Sequence, residues 1–284
     1  MLSIIIVHYK TLKMTSETIR SIQNSKLSST YEIIVVDNAS NDGSVAQLRS
    51  EFPEVDFIEN DQNDGFAKAN NIGIRKAKGE YILLLNSDIA LAPDALEKAL
   101  QYIIKNRNTG ILGIRLVLPN GVLDHTCKRG FPTPMSSLYY FMKLHKKYPE
   151  SKKYGHYTQS FINEEETAIV DAVVGAFMLI PKDVIQKVGL LDESFFMYGE
   201  DLDYCYRAHS TGYDIVYYPE ARAVHFKGGS GRSLKVTYEF YRAMWLFYKK
   251  HYVHTYGLGT TVLVGVGIAV MFLFAALKWF FRRT

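Results

Sequence analysis

The sequence has few cysteines and no large excess of either charge. Cys127 and Cys205 are the only cysteines, too few for a disulfide framework or a cysteine-based zinc site and consistent with a reducing compartment. Lysine and arginine number 33 against 29 aspartates and glutamates, a formal net charge of +4. This surplus falls short of the clustered basic surface of a dedicated nucleic-acid-binding protein. We therefore expect no nucleic-acid partner.

We also expect no secretory leader, and the glycine-rich loops of common nucleotide enzymes are missing from the sequence. Its first residues, MLSIIIVHYK, have no basic region and no small-residue cleavage site, so we expect the catalytic part to stay in the cytoplasm. The turn at residues 64–73 has neither the G-x-G-x-x-G spacing of a dinucleotide site nor the G-K-[ST] of a P-loop. A Rossmann dehydrogenase or an NTPase is thus disfavoured.

One long uncharged run is present, at residues 255–277. As a helix, the 20 residues 258–277 would extend about 30 Å, the thickness of a bilayer core. Before the run, residues 236–252 mix seven aromatic side chains with basic ones, a composition typical of helices at the lipid headgroup level. We therefore predict a catalytic domain at 1–235, an interfacial helix at 236–254 and a membrane tail at 255–284. A core-packing helix of the soluble domain is the alternative for the second segment.

The charges that flank this run leave its orientation open, because the positive-inside rule depends on an imbalance. Basic residues lie on both sides of it: Arg242, Lys249 and Lys250 before, and Lys278, Arg282 and Arg283 after.

Hydrophobic runs alternate with helical periodicity through the remainder of the chain. Strands are predicted at 3–7, 32–36, 55–58, 81–85, 110–117, 213–218 and 223–226, and a strand pair or a strand that leads into a turn at 170–180. Helices are predicted at 15–24, 44–52, 67–76, 93–106, 183–189 and 200–210. The alternation predicts an α/β fold with a mostly parallel central sheet flanked by helices. Residues 119–166 show no strong period, and we expect loops there that read the acceptor.

Three polar groups follow predicted strands. They are Asp37-Asn38, Asn86-Ser87-Asp88 and Glu200-Asp201-Leu202-Asp203. A carboxylate at the carboxyl end of a parallel strand can bind a nucleoside or hold a divalent cation. A single aspartate at such a place is more often a turn or cap residue, but three in one sheet favour a ligand site.

These motifs, in this order, resemble glycosyltransferase family 2, the inverting enzymes of GT-A fold, and are most similar to its bacterial rhamnosyltransferase-like members. The segments that carry the resemblance are residues 3–9, 35–44, 64–73, 86–88, 175–178 and 200–203, with His225 and Gly228-Gly229-Ser230. Each motif alone is weak, and the order of all of them makes the resemblance specific. It covers roughly the first four fifths of the chain and implies a GT-A nucleotide-diphospho-sugar transferase fold.

The resemblance also implies roles at matching positions. The residues that would contact the nucleotide-sugar donor are Val7, His8, Tyr9, Asp37, Asp64, Gly65, Asn70, Asn71 and Ser87. Asp88 and His225 would bind Mg²⁺ or Mn²⁺ at the donor diphosphate, Asp201 would be the catalytic base, and Gly175, Ala176 and Glu200 would contact the acceptor. Two positions depart from the family pattern, since Asn86 replaces the first acid of D-x-D and Lys10 stands where an asparagine is usual.

The chemistry explains why such residues are needed. An acceptor hydroxyl must lose a proton as it attacks, and a positioned carboxylate accelerates such a step by about 10²- to 10⁴-fold. A divalent cation stabilises the leaving diphosphate as a Lewis acid. Structural roles compete with these functional ones. The acids at 200–203 also suit a helix N-terminus, and Arg207 either forms an ion pair with Asp203 or contacts the diphosphate. Core packing is the rival role for Gly175 and Ala176, and a structural role is the rival for His225.

Together, the resemblance and the apolar tail predict an inverting, metal-dependent glycosyltransferase. Its donor would be dTDP-L-rhamnose or a UDP-sugar, and its acceptor a hydroxyl of a polyprenyl-linked or other membrane glycan in cell-surface polysaccharide synthesis. The enzyme would lie at the cell membrane with its catalytic domain on the cytoplasmic side, and a homo-oligomer is left open. A non-catalytic, membrane-associated partner protein is the alternative. A nucleotidyltransferase is disfavoured because the N-terminus has no loop rich in glycine and basic residues.

Overall fold

The computed structural model describes residues 1–227 and 233–281, within which nine strands form a single sheet flanked by ten helices. The strands are β1 Leu2–His8, β2 Tyr31–Asp37, β3 Asp56–Glu59, β4 Tyr81–Asn86, β5 Ile89–Leu91, β6 Thr109–Val117, β7 Ala168–Ile169, β8 Phe177–Pro181 and β9 Asp214–His225. The helices are α1 Leu12–Gln23, α2 Ser44–Glu51, α3 Gly65–Lys76, α4 Ala95–Lys105, α5 Pro134–Phe141, α6 Leu144–Lys147, α7 Lys182–Val188, α8 Glu200–Ser210, α9 Leu234–His251 and α10 Val253–Phe281. The Gly228-Gly229-Ser230 motif and the pair Arg282-Arg283 lie outside the described residues.

The first part of the sheet is parallel, as the alternation of strands and helices predicts. β1 pairs in parallel with β2 and β4, and β2 pairs in parallel with β3. Side chains on both faces of β1, such as those of Ile4, Ile5 and Ile6, are fully buried, which requires helices on both sides of the sheet. The carboxyl ends of β1, β2 and β4 therefore lie at one edge, with His8 in register with Asp37.

The second part makes the sheet mixed instead of mostly parallel. β8 runs antiparallel to both β4 and β6, while β9 is parallel to β6 and antiparallel to β5 and β7. A run that is apolar on both faces predicts a buried strand but carries no information on its direction, which depends on how the chain returns to the sheet. The two strands predicted at 213–218 and 223–226 form the single strand β9, whose register against β6 shifts between Ile114 and Arg115.

Residues 119–166, predicted to be irregular, contain a 3₁₀ turn and the short helices α5 and α6. The Thr133 hydroxyl caps α5 by accepting a hydrogen bond from the Ser136 N–H, and Pro134 stands in its first turn. The buried ammonium of Lys128 donates to the carbonyls of Gln159 and Ile162. These bonds fold the segment back on itself beside the sheet.

The last two helices form an antiparallel hairpin. α10 follows α9 almost directly, with a kink at Gly257 (φ 71°). The Tyr248 hydroxyl lies 3.1 Å from that of Thr261 near the start of the pair, and the ring of Tyr238 lies 6.0 Å from that of Phe272 further along. The apolar tail therefore returns along α9 instead of projecting away from the protein.

Helix α9 is attached to the catalytic domain through its C-terminal half. Phe247 is buried against Tyr206, and Lys250 and His251 each contact the carboxylate of Asp203 at 2.8 Å. The core-packing role thus holds for this face of α9, while the interfacial role of the segment stays a prediction. Among the described residues, α10 is the one helix long and apolar enough to cross a membrane, and its apolar stretch is not buried within the protein.

Candidate active site

The polar groups predicted at the strand ends gather at one edge of the sheet. Asp37 ends β2, is buried, and accepts a hydrogen bond of 3.0 Å from the Ser40 N–H. The Lys10 N–H, beyond the end of β1, donates to the Ser40 hydroxyl. Ser87, after β4, accepts a hydrogen bond of 3.3 Å from the Thr11 hydroxyl. The turns that follow β1, β2 and β4 are therefore linked to one another.

His8 supports this edge from within. Its ring is fully buried, and its two nitrogens lie 2.8 Å from the hydroxyls of Thr15 and Ser44. Burial lowers the pKa of His8 despite the nearby carboxylate of Asp37. Of the three residues predicted to contact the donor at the end of β1, Tyr9 has the exposed side chain, Val7 is half-buried, and His8 is enclosed behind them.

The loop that enters α3 requires a glycine. Gly65 has φ +82°, and a Cβ there would lie 2.2 Å from the carbonyl oxygen of Phe196, to which the Phe66 N–H also donates. Asn38 reinforces the loop by donating to the Gly65 carbonyl. Asp64 forms an ion pair of 2.9 Å with Lys68. This close approach brings the predicted donor loop against the segment that leads to α8.

The two asparagines predicted to contact the donor are buried in α3. The Asn70 amide donates to the Phe66 carbonyl. The Asn71 amide donates to the Leu191 carbonyl and to Glu193, and its oxygen accepts from the Leu191 N–H. The Asn70 amide thus bonds within α3, and the Asn71 amide joins α3 to the segment before α8. The contacts of both residues with the nucleotide-sugar donor stay predictions.

Asp88 and His225, the predicted metal ligands, lie side by side and are buried. Asp88 Oδ1 is 3.3 Å from His225 Nε2, and Asp124 Oδ2 is 2.8 Å from His225 Nδ1. Lys227 forms a further ion pair of 2.8 Å with Asp124. Burial by itself lowers the pKa of His225, but the hydrogen bonds to Asp124 and Asp88 outweigh it and raise the pKa to about 9.

The Asp88 carboxylate is an oxygen ligand that suits Mg²⁺ or Mn²⁺. Asp124 orients the His225 imidazole so that Nε2 faces Asp88, but the raised pKa keeps the ring protonated, so it would join a metal only after losing that proton. Within the described part of the chain, no group of three or more histidine, cysteine, aspartate or glutamate side chains is arranged to hold a metal ion. The assignment of Asp88 and His225 as metal ligands therefore stays a prediction.

Asp201 stands in the first turn of α8 and is surrounded by donors. Its Oδ2 accepts from Arg129 Nη2 at 2.6 Å and from the Gly175 N–H at 3.1 Å. Its Oδ1 accepts from the Leu202 N–H at 2.7 Å. The buried Arg129 guanidinium also donates to the Val173 carbonyl. These hydrogen bonds hold the Asp201 carboxylate in one orientation beside the Gly175 N–H.

Glu200, the neighbour of Asp201, lies in a different environment. It is 6% exposed, and its Oε2 has no hydrogen-bond partner within the described structure. Burial, reinforced by the negative charge of Asp201, raises the pKa of Glu200 to about 8. Two adjacent carboxyl groups with divergent environments are typical of a site that needs one acid ionised and the other neutral.

The structure resolves two alternatives that the sequence leaves open. Arg207 pairs with Asp203 at 2.8 Å and donates to the carbonyls of Val188 and Leu190, so it forms the ion pair one turn apart. Ala176 is buried in the core, and its carbonyl accepts from the Asn86 N–H. Gly175 instead faces the site through its N–H to Asp201. The acceptor roles of these residues stay predictions.

Sequence reasoning missed Arg129 and Asp124. Both lie in the segment without periodicity, and neither belongs to a motif that singled it out. Arg129 reaches a carboxylate 72 positions away, and Asp124 a histidine 101 positions away. Nothing in the local sequence indicates the partner of either residue.

Comparison with known proteins agrees with this geometry. The model of the family described as Glycosyl transferase family 2 matches residues 3–187. The chain belongs to this family. The match covers β1 to α7, and thus the strand ends that carry Asp37 and Asp88.

Three relatives of named activity resemble this family 2 chain over most of its length. The low-salt glycan biosynthesis hexosyltransferase Agl10 of Haloferax volcanii is 28% identical over 84% of this chain and 72% of its own. The rhamnosyltransferase WbbL of Escherichia coli K12 is 28% identical over 72% and 75%. The N-acetylglucosaminyl-diphospho-decaprenol L-rhamnosyltransferase of Mycobacterium tuberculosis is 25% identical over 70% and 67%.

Solved structures show the same GT-A-like fold. The S. aureus TarS 1–349 structure superposes with a TM-score of 0.59 at 18% identity, over 87% of this chain and 64% of that one. The structure of GalNAc-T7 with UDP, GalNAc and Mn²⁺ gives a TM-score of 0.61 at 17% identity, over 87% and 47%. This family 2 chain thus spans less than two thirds of either solved chain.

Proposed function

We propose that this family 2 glycosyltransferase moves a hexosyl or rhamnosyl group from a nucleotide-diphosphate sugar to a hydroxyl of a membrane lipid-linked glycan. The observation that carries the proposal is the position of the Asp201 carboxylate, held by Arg129 and the Gly175 N–H beside the sheet edge that bears Asp88 and His225. Inverting transfer requires a base for the acceptor hydroxyl and, at the same edge, groups that stabilise the charge of the leaving diphosphate. The named rhamnosyl- and hexosyltransferases among the relatives support dTDP-L-rhamnose or a UDP-sugar as donor.

The reaction follows from these groups. Asp201 accepts the proton of the acceptor hydroxyl while that oxygen attacks the anomeric carbon. The nucleoside diphosphate leaves from the opposite side, so one displacement inverts the configuration. Glu200, neutral at pH 7, can donate a hydrogen bond to an acceptor or donor oxygen without repelling Asp201. When bound at Asp88 and His225, Mg²⁺ or Mn²⁺ would neutralise charge on the diphosphate.

The α9–α10 hairpin supports an acceptor in the membrane. One face of α10 is apolar and exposed along its length, and its exposed side chains include Leu258, Leu263, Phe274 and Phe281. A relative named for a decaprenol-linked acceptor supports a polyprenyl-linked glycan. Since nucleotide sugars are cytosolic, the catalytic domain would face the cytoplasm.

The hairpin favours a tail that lies in the membrane interface over one that crosses. α10 packs alongside α9, and α9 carries Arg242, Lys249 and Lys250. Crossing with α9 alongside would place these charges in the bilayer, at about 2.5 to 3.5 kcal/mol each near its centre. An interfacial helix keeps them at the headgroups.

The test is release of nucleoside diphosphate by the detergent-purified full chain. A panel of UDP-, dTDP- and GDP-sugars is offered with Mn²⁺ or Mg²⁺, with and without a lipid-linked acceptor extract. We expect one donor to be turned over, and Asp201→Asn to lower turnover at least about 10²-fold while donor binding persists. The exposed Asp56→Asn is the matched control.

Two outcomes would overturn this proposal. Full turnover by Asp201→Asn would remove Asp201 as the base. No turnover of any donor by folded wild-type protein would favour the non-catalytic partner protein, for which the replacement of the first D-x-D acid by Asn86 is the supporting feature.

A further inference from the structure

A second apolar and basic surface, separate from the hairpin, is formed by residues 134–153, which we name the α5–α6 surface. It contains five lysines and a single acid, Glu150. Four large apolar side chains of α5 and the turn after it are 44% to 59% exposed: Met135, Leu138, Phe141 and Met142. A soluble protein rarely leaves such side chains together in water without a partner.

The apolar and basic groups are ordered along the surface. Met135, Leu138 and Met142 follow the spacing of one helical face. Lys146 and Lys147 come one turn later on α6 and are exposed, and Lys152 and Lys153 follow. An apolar stripe bordered by lysines is the composition of a segment that inserts shallowly at an anionic lipid surface.

The α5–α6 surface adjoins the base of the hairpin. Phe131, three residues before α5, places its ring 4.9 Å from that of Tyr206. Tyr206 in turn lies 4.1 Å from the ring of His251 and 6.0 Å from that of Tyr252, where α9 turns into α10. The Phe131 carbonyl accepts from the Ser136 hydroxyl of α5, so Phe131 and Tyr206 connect the start of α5 to the turn between α9 and α10.

The same surface also lies beside the catalytic carboxylate. The ring of Tyr140 on α5 is 5.0 Å from that of Tyr157. The Tyr157 carbonyl accepts from the Gly130 N–H, and the adjacent Arg129 holds Asp201. Three contacts, through Tyr157 and the adjacent residues Gly130 and Arg129, thus connect α5 to the proposed base.

We infer that the α5–α6 surface rests on an anionic lipid bilayer and presents the membrane to Asp201. The inference deepens the proposed function, on whose membrane acceptor it rests, by assigning a second lipid contact that faces the acceptor side of the site. The charge of the α5–α6 surface indicates what it contacts, because five lysines against one acid are complementary to acidic lipid headgroups. The exposed methionines and phenylalanine enter the acyl boundary beside them.

The direct test places a fluorophore on the surface. Cys127 and Cys205 are both buried, so Met142→Cys provides one accessible thiol for an environment-sensitive dye. Ser50→Cys on α2 is the matched control, because the neighbouring Arg49 pairs with Glu59 of β3 at the opposite edge of the sheet. Full-length protein is studied in nanodiscs of phosphatidylcholine, with or without phosphatidylglycerol.

We expect the dye at position 142 to shift to the blue, and to be quenched by lipid-borne quenchers, when phosphatidylglycerol is present. The dye at position 50 should not respond. An unchanged dye at 142, or an equal response at both positions, would overturn the inference. This measurement needs no turnover, so it succeeds or fails independently of the proposed glycosyl transfer.

A charge reversal links the contact to function. Lys146→Glu combined with Lys147→Glu should lower transfer to a lipid-linked acceptor in anionic nanodiscs at least about 10-fold, because each lysine near such a surface contributes about tenfold or somewhat less. Donor binding should be unchanged. Lys105→Glu with Arg107→Glu, exposed at the end of α4, is the control pair. Unchanged transfer by the Lys146 and Lys147 variant would contradict the inference.

Discussion

Replacing Glu200 by glutamine tests the electrostatics of the candidate site most directly. The side chain is buried next to Asp201, its Oε2 has no hydrogen-bond partner within the described structure, and its pKa is raised from 4.5 to about 8. Glutamine has nearly the same shape and carries no charge. The substitution therefore removes an ionisation that the folded state disfavours, with little change in packing.

The magnitude follows from the shift. A carboxyl group whose pKa is raised on folding does not lower stability at pH values below its pKa in the unfolded chain. The folded state loses stability as pH rises from 4.5 towards about 8. Each pH unit in that window contributes about 1.4 kcal/mol. At pH 7 the loss relieved by glutamine is on the order of 3 kcal/mol, and at about pH 5 it is below roughly 1 kcal/mol.

The assay is denaturant unfolding of the full chain in detergent at several pH values between about 5 and 8. Glu200→Gln should gain stability over wild type as pH rises, while exposed Glu80→Gln should follow wild type throughout. A difference that does not change with pH, or one that shrinks as pH rises, would refute the electrostatic account of this site. Lower stability of the variant at high pH would show that Glu200 is ionised and paired.

Three further results are expected. Arg129→Gln leaves the buried Asp201 without its cation and should lower the free energy of unfolding by about 3 to 5 kcal/mol, measured by denaturant titration. Arg129→Lys keeps a cation and should retain part of this stability. Gly65→Ala should weaken donor binding, measured by calorimetry, and destabilise the protein more than Gly43→Ala, because both have positive φ but only the first places a Cβ against Phe196; equal effects would contradict the steric reason. If α10 lies in the interface, a fluorescent protein fused after the last residue should be active in the cytoplasm, and alkaline phosphatase fused there should be inactive. The reverse result for the two fusions would show that α10 crosses the membrane.

The sequence by itself determined the family and most of the local structure. Periodicity placed the helices and all strands of the first 120 residues except the three-residue β5, because burial on one or both faces leaves a repeat that neighbouring residues reveal. Parallel strands deliver their carboxyl ends to one edge, so Asp37 and Asp88 were predictable as a group from their positions after β2 and β4. The apolar run at 255–277 was predictable as one long helix for the same local reason.

The tertiary structure alone decided which distant side chains pair and in which direction the later strands and helices run. β8 enters the sheet antiparallel, α10 returns along α9, and Arg129 meets Asp201 across 72 positions. None of these leaves a local repeat, because each depends on how distant surfaces pack after the elements form. The environments of the two carboxyl groups belong here too. Asp201 and Glu200 are neighbours in sequence, but Arg129 donates to Asp201, whereas Glu200 Oε2 is buried without a described hydrogen-bond partner.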